Sequence, residues 1–113
     1  MSPITTHVLD THTGKPAAGM PISLYKKSEN GEYEILASGM TNHDGRIKNL
    51  LEPGTLESGI YKMHFDTGQY FRLLGTRGFY PEAVICFEIS ALDEHYHIPL
   101  LLSPYGYSTY RGS

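Results

Sequence analysis

The sequence predicts an all-β fold: a two-sheet β-sandwich of seven or eight short strands with one short helix. Three observations carry this expectation. Clusters of Gly, Pro, Asn and Asp recur along most of the chain, and these residues supply positive or preset φ at tight reversals. The runs between them are short and strand-like in composition, several alternating apolar and polar with period two. Only one stretch has helical spacing. This is the pattern of half-buried strands in antiparallel sheets packed face to face.

Taken in order, the first run is Ile4 to Asp10, closed by the turn Thr13-Gly14-Lys15-Pro16. A second spans Ile22 to Lys27, with Ile22 and Leu24 opposite Ser23, and ends at Glu29-Asn30-Gly31. Tyr33 to Thr41 follows and stops at Asn42-His43-Asp44-Gly45. After Glu52-Pro53-Gly54 comes Ile60 to Asp66, where Tyr61, Met63 and Phe65 oppose Lys62, His64 and Asp66. The helix is expected over Thr67 to Leu74, with Thr67 as cap, Tyr70, Phe71 and Leu74 on one face, and Gly75 as stop. Ala83 to Ile89 and His95 to Leu102 are the last strand-like runs, the latter ending at Ser103-Pro104-Tyr105-Gly106.

At 113 residues, 40% hydrophobic and 19% charged, the chain is expected to form a single domain over residues 1–113. Nine Lys and Arg against 12 Asp and Glu leave a net charge of -3, which argues against a nucleic-acid partner. The apolar runs fall far short of the roughly 20 residues of a membrane-spanning helix, so no membrane partner is expected. Met1 to His7 shows neither a basic leader nor an apolar core of a signal peptide, and a cytoplasmic location is the default. The one cysteine, Cys86, sits in an apolar run and reads as a packed thiol, not a nucleophile. No nucleophile elbow, phosphate loop or dinucleotide fingerprint is present.

Six histidines stand out. His95 and His97, two apart, project from one face if they lie on a strand. Three readings are open. The pair could begin a metal site with His7 as third ligand, although nothing supplies a fourth. One ring could face solvent while the other satisfies a backbone carbonyl. A neutral imidazole could instead take a proton from water as a general base. Arg46, just after a turn and at the expected start of a strand, is either a solvated turn arginine or a clamp for an oxyanion, carboxylate or urea-like group.

Both ends of the chain resemble one family. Ile4 to Ala17, including His7 and Asp10-Thr11-His12-Thr13-Gly14-Lys15-Pro16, is similar to the opening of the 5-hydroxyisourate hydrolases, the transthyretin-related enzymes of urate catabolism. His95 to Ser113 is similar to their closing segment, down to the terminal Tyr110-Arg111-Gly112-Ser113 that separates them from hormone-carrying transthyretins. Thr41-Asn42-His43-Asp44-Gly45-Arg46 and Phe79-Tyr80-Pro81 resemble two further family motifs. His43 falls in a variable slot and receives no role.

The resemblance implies a transthyretin-like sandwich and a dihedral homotetramer. It also implies an active site of His7, Arg46, His97 and the Tyr110–Ser113 tail, with neither metal nor cofactor. The implied reaction opens the six-membered ring of 5-hydroxyisourate at a C–N bond to give 2-oxo-4-hydroxy-4-carboxy-5-ureidoimidazoline. Beyond the resemblance, His97 or His7 is assigned as general base with the other as hydrogen-bond or proton donor. Arg46 would orient substrate and stabilise charge, while Tyr110, Arg111 and Ser113 join His7 and Arg46 in binding it. A transthyretin-like carrier of a small aromatic ligand is the alternative, and a stand-alone regulatory sandwich module is a weaker third reading. The polar set His7, Arg46, His97 and the tail favours the enzyme, because a carrier of an apolar ligand calls for a mostly apolar channel.

Overall fold

The computed structural model describes residues 2–113. Its elements in chain order are β1 (Ile4–Asp10), β2 (Lys15–Pro16), β3 (Pro21–Lys27), β4 (Tyr33–Met40), β5 (Gly59–Phe65), α1 (Thr67–Leu73), β6 (Ala83–Ile89), β7 (Tyr96–Ser103) and β8 (Gly106–Thr109). They form two four-stranded sheets, ordered β2-β1-β7-β8 and β4-β3-β5-β6. The neighbouring strands pair antiparallel except β1 and β7, which run parallel in register from Ile4 opposite Tyr96 to Asp10 opposite Leu102. The fold is thus the expected all-β sandwich of eight strands and one helix.

Period-two alternation decides which side chains meet between the sheets. Ile4, Thr6, Val8 and Asp10 of β1 are buried, as are Ile98, Leu100 and Leu102 of β7. Ile22 and Leu24, with Tyr61, Met63 and Phe65, close the core from the other sheet. Tyr61 stacks on Phe87 with ring centroids 5.8 Å apart. Each fully buried side chain of this size contributes roughly 1.5–3 kcal/mol, which is what fixes the register. Thr5, His7 and Leu9 consequently point to the outside of their sheet.

Several local expectations differ from the structure. Lys15–Pro16 pairs with Leu9 and Asp10 as the two-residue β2, and Gly106–Thr109 returns along β7 as β8; both lie where turn residues mask a strand. The cap of α1 is Asp66, whose Oδ1 accepts from the Gln69 N–H at 3.1 Å, whereas Thr67 Oγ1 donates to the Tyr80 carbonyl at 2.7 Å. Tyr70 and Phe71 are buried, but Leu74, at the C-cap, is exposed. Cys86 is exposed too, because β6 turns Ala83, Ile85, Phe87 and Ile89 inward and is an edge strand. Among the described residues no helix is long and apolar enough to cross a membrane.

The one buried carboxylate among the described residues, that of Asp10, ties β1 to the helix. Its Oδ1 accepts from the His12 and Thr13 N–H groups at 2.9 and 3.1 Å, and its Oδ2 accepts from the Tyr70 hydroxyl at 2.7 Å. Burial and the neighbouring carboxylate raise the phenol's pKa far above its ordinary range. Tyr70→Phe strips one donor from a buried charge and should destabilise the fold by about 1–3 kcal/mol. Urea denaturation reads this directly, and an unchanged midpoint would show that water replaces the phenol.

Candidate active site

Four pieces of chain converge on the outer face of the β1–β7 sheet. The first is β1 itself, which presents Thr5 and His7 on one face. The second is the turn after β4. Thr41 anchors it: its buried hydroxyl donates to the Ala17 carbonyl at 2.7 Å and accepts from the Met20 N–H at 2.9 Å. Asn42 Oδ1 then accepts from the Asp44 and Arg46 N–H groups, at 2.9 and 3.1 Å. Gly45 turns with φ of +75° and lies so close to β1 that an added Cβ would collide with the Val8 carbonyl oxygen. That approach lets the Val8 N–H reach the Gly45 carbonyl at 2.9 Å and sets Arg46 opposite His7 in an antiparallel bridge. Arg46 therefore sits in a single bridge, not at the start of a strand.

The third piece is β7 with its lead-in. His97 pairs with Thr5 in the parallel register, and His95 precedes the strand. The two imidazoles lie on the same side as expected, 6.4 Å apart and inclined by 19°. The His95 ring is exposed, as one reading expects, and the Thr5 backbone acts on His97 as a hydrogen-bond partner. Both rings also meet the Thr5 hydroxyl, His97 through Nδ1 at 2.8 Å and His95 through Nε2 at 3.0 Å. Among the described residues no group of three or more His, Cys, Asp or Glu is placed to hold a metal ion.

The fourth piece is the tail. The Gly112 N–H donates to the His97 carbonyl at 2.8 Å, forming a further bridge. An added Cβ on Gly112 would stand 2.5 Å from His97 Cδ2, so only glycine lets the chain lie against that ring. Ser113 thereby reaches a pocket of about 350 Å³ whose walls include Thr5, Arg46, His95 and His97. Tyr110 and Arg111 line a second cleft of about 230 Å³, which meets the first at His97 and includes Ile85 and Phe87. Arg111 donates from Nη2 to Glu94 Oε1 at 2.8 Å and lies 4.6 Å over the Tyr96 ring.

Electrostatics sharpens the picture around His97. Burial of the half-buried ring lowers its pKa below the ordinary 6.5, and the charges of Arg46, His95 and His7 lower it further, against a raising influence from the Thr5 backbone. At neutral pH the ring is uncharged and able to accept a proton. Among the described residues Arg46 makes no ion pair, which leaves its guanidinium available to an anionic or carbonyl oxygen in the same pocket.

Of the residues singled out in the sequence, Arg46, His97 and Ser113 line one pocket, His7 is bridged to Arg46, and Tyr110 and Arg111 line the adjoining cleft beside His97. Sequence reasoning missed Thr5, which its place two residues before His7 on the same strand face could have found. It placed Gly45 in the turn motif and Gly112 in the tail, but why each must be glycine shows only in the packing. Gly112→Ala should leave the melting temperature nearly unchanged while freeing the tail for carboxypeptidase digestion. A tail that stays protected would mean that the His97 ring moves aside instead.

Comparison with known proteins places the chain. Residues 4–112 match the model of the HIUase/Transthyretin family. A 5-hydroxyisourate hydrolase of Salmonella typhimurium is 49% identical over 110 residues, covering 97% of this chain and 80% of the relative. The crystal structure of transthyretin from Sparus aurata superposes with a TM-score of 0.95 at 30% identity, covering 99% of this chain and 97% of that one. The 5-hydroxyisourate hydrolase of Klebsiella pneumoniae superposes with a TM-score of 0.84 at 38% identity, covering 97% and 98%. On sequence and fold, this chain belongs to the HIUase/Transthyretin family.

Proposed function

We propose that this protein is a 5-hydroxyisourate hydrolase, adding water across an amide C–N bond of the six-membered ring to give 2-oxo-4-hydroxy-4-carboxy-5-ureidoimidazoline. The observation that carries this reading is His97, an imidazole kept neutral in a pocket that it shares with an unpaired arginine. Hydrolase relatives bear the same activity in their names. The carrier alternative shares the fold, which does not decide between them. The polarity of the outer face does, because Thr5, His7, Arg46, His95 and His97 would be costly to desolvate against an apolar ligand.

In this mechanism His97 Nε2 takes a proton from water as the oxygen attacks the ring carbonyl. Arg46 holds the oxygen on which negative charge develops. The C–N bond then breaks, the ring nitrogen receives the proton, and the carbonyl carbon stays on the opened product as a carboxyl group that releases its own proton to solvent. His7, beside Arg46 in the bridge, donates a hydrogen bond or proton to the substrate, and Ser113 adds a hydrogen bond from the tail. Tyr110 and Arg111 serve binding by fixing the tail, since Arg111 is engaged with Glu94 and Tyr96. No step needs a metal or cofactor. One domain over residues 1–113 supplies these groups, and a homotetramer completes the enclosure of an otherwise open pocket.

The deciding experiment makes 5-hydroxyisourate in situ from urate with uricase and follows its ultraviolet decay. Decay no faster than the spontaneous rate would sink the enzyme reading. His7→Asn and His97→Asn should each lower turnover by about 10²-fold or more with little change in melting temperature, and His95→Asn by much less. Because the base must be neutral and its pKa is lowered, activity should hold through neutral pH and fall only as pH drops below the ordinary imidazole value of 6.5. Arg46→Gln removes one cause of that lowering and should move the acid limb of the residual activity to higher pH. Exhaustive chelation should leave the rate unchanged, while dilution that dissociates the assembly should reduce it, both read in the same assay.

A further inference from the structure

The Thr5 hydroxyl stands between two imidazoles of unequal exposure. His97 is half-buried beside Arg46, and His95 is exposed. The Thr5 oxygen carries one proton and two lone pairs, so it can bridge the rings by donating to one ring nitrogen and accepting from the other. Such a bridge has two arrangements. In the first, His97 Nδ1–H donates to Thr5 Oγ1 and Thr5 donates to His95 Nε2, so that His97 Nε2 is a bare lone pair. In the second, His95 Nε2–H donates to Thr5 and Thr5 donates to His97 Nδ1, so that His97 Nε2 carries the proton. A base needs the first arrangement, and an acid needs the second.

We propose that Thr5 is a positioning residue that relays the proton taken by His97 to His95, and so to solvent. The inference rests on the hydrolase reading of the site. As water attacks the carbonyl, its proton arrives at His97 Nε2. The Nδ1 proton moves to Thr5 Oγ1, the Thr5 proton moves to His95 Nε2, and exposed His95 gives up its Nδ1 proton to buffer. No bond other than these N–H and O–H bonds changes, and one positive charge leaves the pocket. His97 is then the Nε2–H tautomer, poised to protonate the departing ring nitrogen. That step runs the relay backwards, with His95 Nδ1 recovering a proton from solvent.

The motive is electrostatic. Without an outlet, the proton would stay on an imidazolium in the same pocket as the Arg46 guanidinium, at the moment when that guanidinium must attract negative charge. His95 offers a second imidazole within one hydroxyl of the site and open to water. It also gives His95 a use that differs from direct catalysis, consistent with its place at the pocket wall.

Thr5→Val removes the hydroxyl but keeps a β-branched side chain on a strand, and Thr5→Ser keeps the hydroxyl. In dilute, weakly basic buffer, Thr5→Val should lower kcat by about tenfold, less than loss of the base itself, with KM and melting temperature little changed. Free imidazole should restore most of that loss, and Thr5→Ser should retain near-normal turnover. His95→Asn should show the same buffer-dependent deficit. Thr5→Val activity within about twofold of the parent, a deficit indifferent to imidazole, or an equal loss in Thr5→Ser would overturn the relay. Nitrogen-15 spectra of the intact protein give a readout independent of turnover. His95→Asn should shift the His97 ring nitrogens, and that response should vanish in a Thr5→Val background. If the unaltered protein proves inactive on 5-hydroxyisourate, the hydrolase reading falls, and the spectra alone judge the link: persistence of the response without the hydroxyl overturns it.

Discussion

The site depends on the parallel pairing of β1 with β7. Ile4, Val8, Ile98, Leu100 and Leu102 are buried on the inner face, and their packing sets which residue of one strand stands opposite which of the other. Because side chains alternate with period two, a slip of one residue would send Thr5 and His7 into the core and expose Thr6 and Val8. The apolar face thus decides where the polar face lies. Thr5 stands opposite His97 because the core demands it, and the contact between their side chains follows.

Around that pair, close approach of backbone does the remaining positioning. Gly45 lets the turn sit against Val8, and Gly112 lets the tail sit against His97. Both contacts replace a side chain with a backbone hydrogen bond to the strand carrying the site. Arg46 and Ser113 are therefore delivered from loop and tail with much of the precision of a sheet. Arg111 contributes through Glu94 and Tyr96, which hold the tail one residue before Gly112 bridges to β7. The exposed ion pair has little strength on its own, since such pairs are typically worth about 0–1 kcal/mol. Its effect is to bias the direction of a short segment already hydrogen-bonded at Gly112.

The sandwich was legible in the sequence because alternation and turn chemistry are local signals. Ile22 and Leu24, or Tyr61, Met63 and Phe65, declare an inner face without reference to any other strand. The short pieces were not legible: β2 consists of Lys15 and Pro16, whose composition is that of a turn, and it exists only because Leu9 and Asp10 are there to pair with it. The cap of α1 was placed one residue late because Asp66 and Thr67 are both good caps, and only the Tyr80 carbonyl claims Thr67. Cys86 lies in an apolar run, yet the phase of β6 turns it outward. At the site, His7, Arg46 and His97 announce their chemistry by residue type. Thr5 does not, because a threonine acquires meaning only from the two imidazoles brought to it by a segment 90 and 92 residues further along the chain.

A division of labour between the two sides of one sheet explains how one fold can serve both proteins named hydrolase and proteins named transthyretin. Inner-face residues carry most of the burial energy, and outward residues on β1 and β7 carry little of it. Changing the outward set therefore alters the chemistry of the face at small cost in stability, whereas changing the inner set alters the register on which any outward chemistry depends. The present chain uses that freedom for groups that titrate, carry charge or hydrogen-bond: two histidines joined by a hydroxyl, a third histidine in register with an arginine, and a serine at the end of the tail. Such a face is expensive to dehydrate and is best matched by a substrate that is itself polar, planar and about to develop charge.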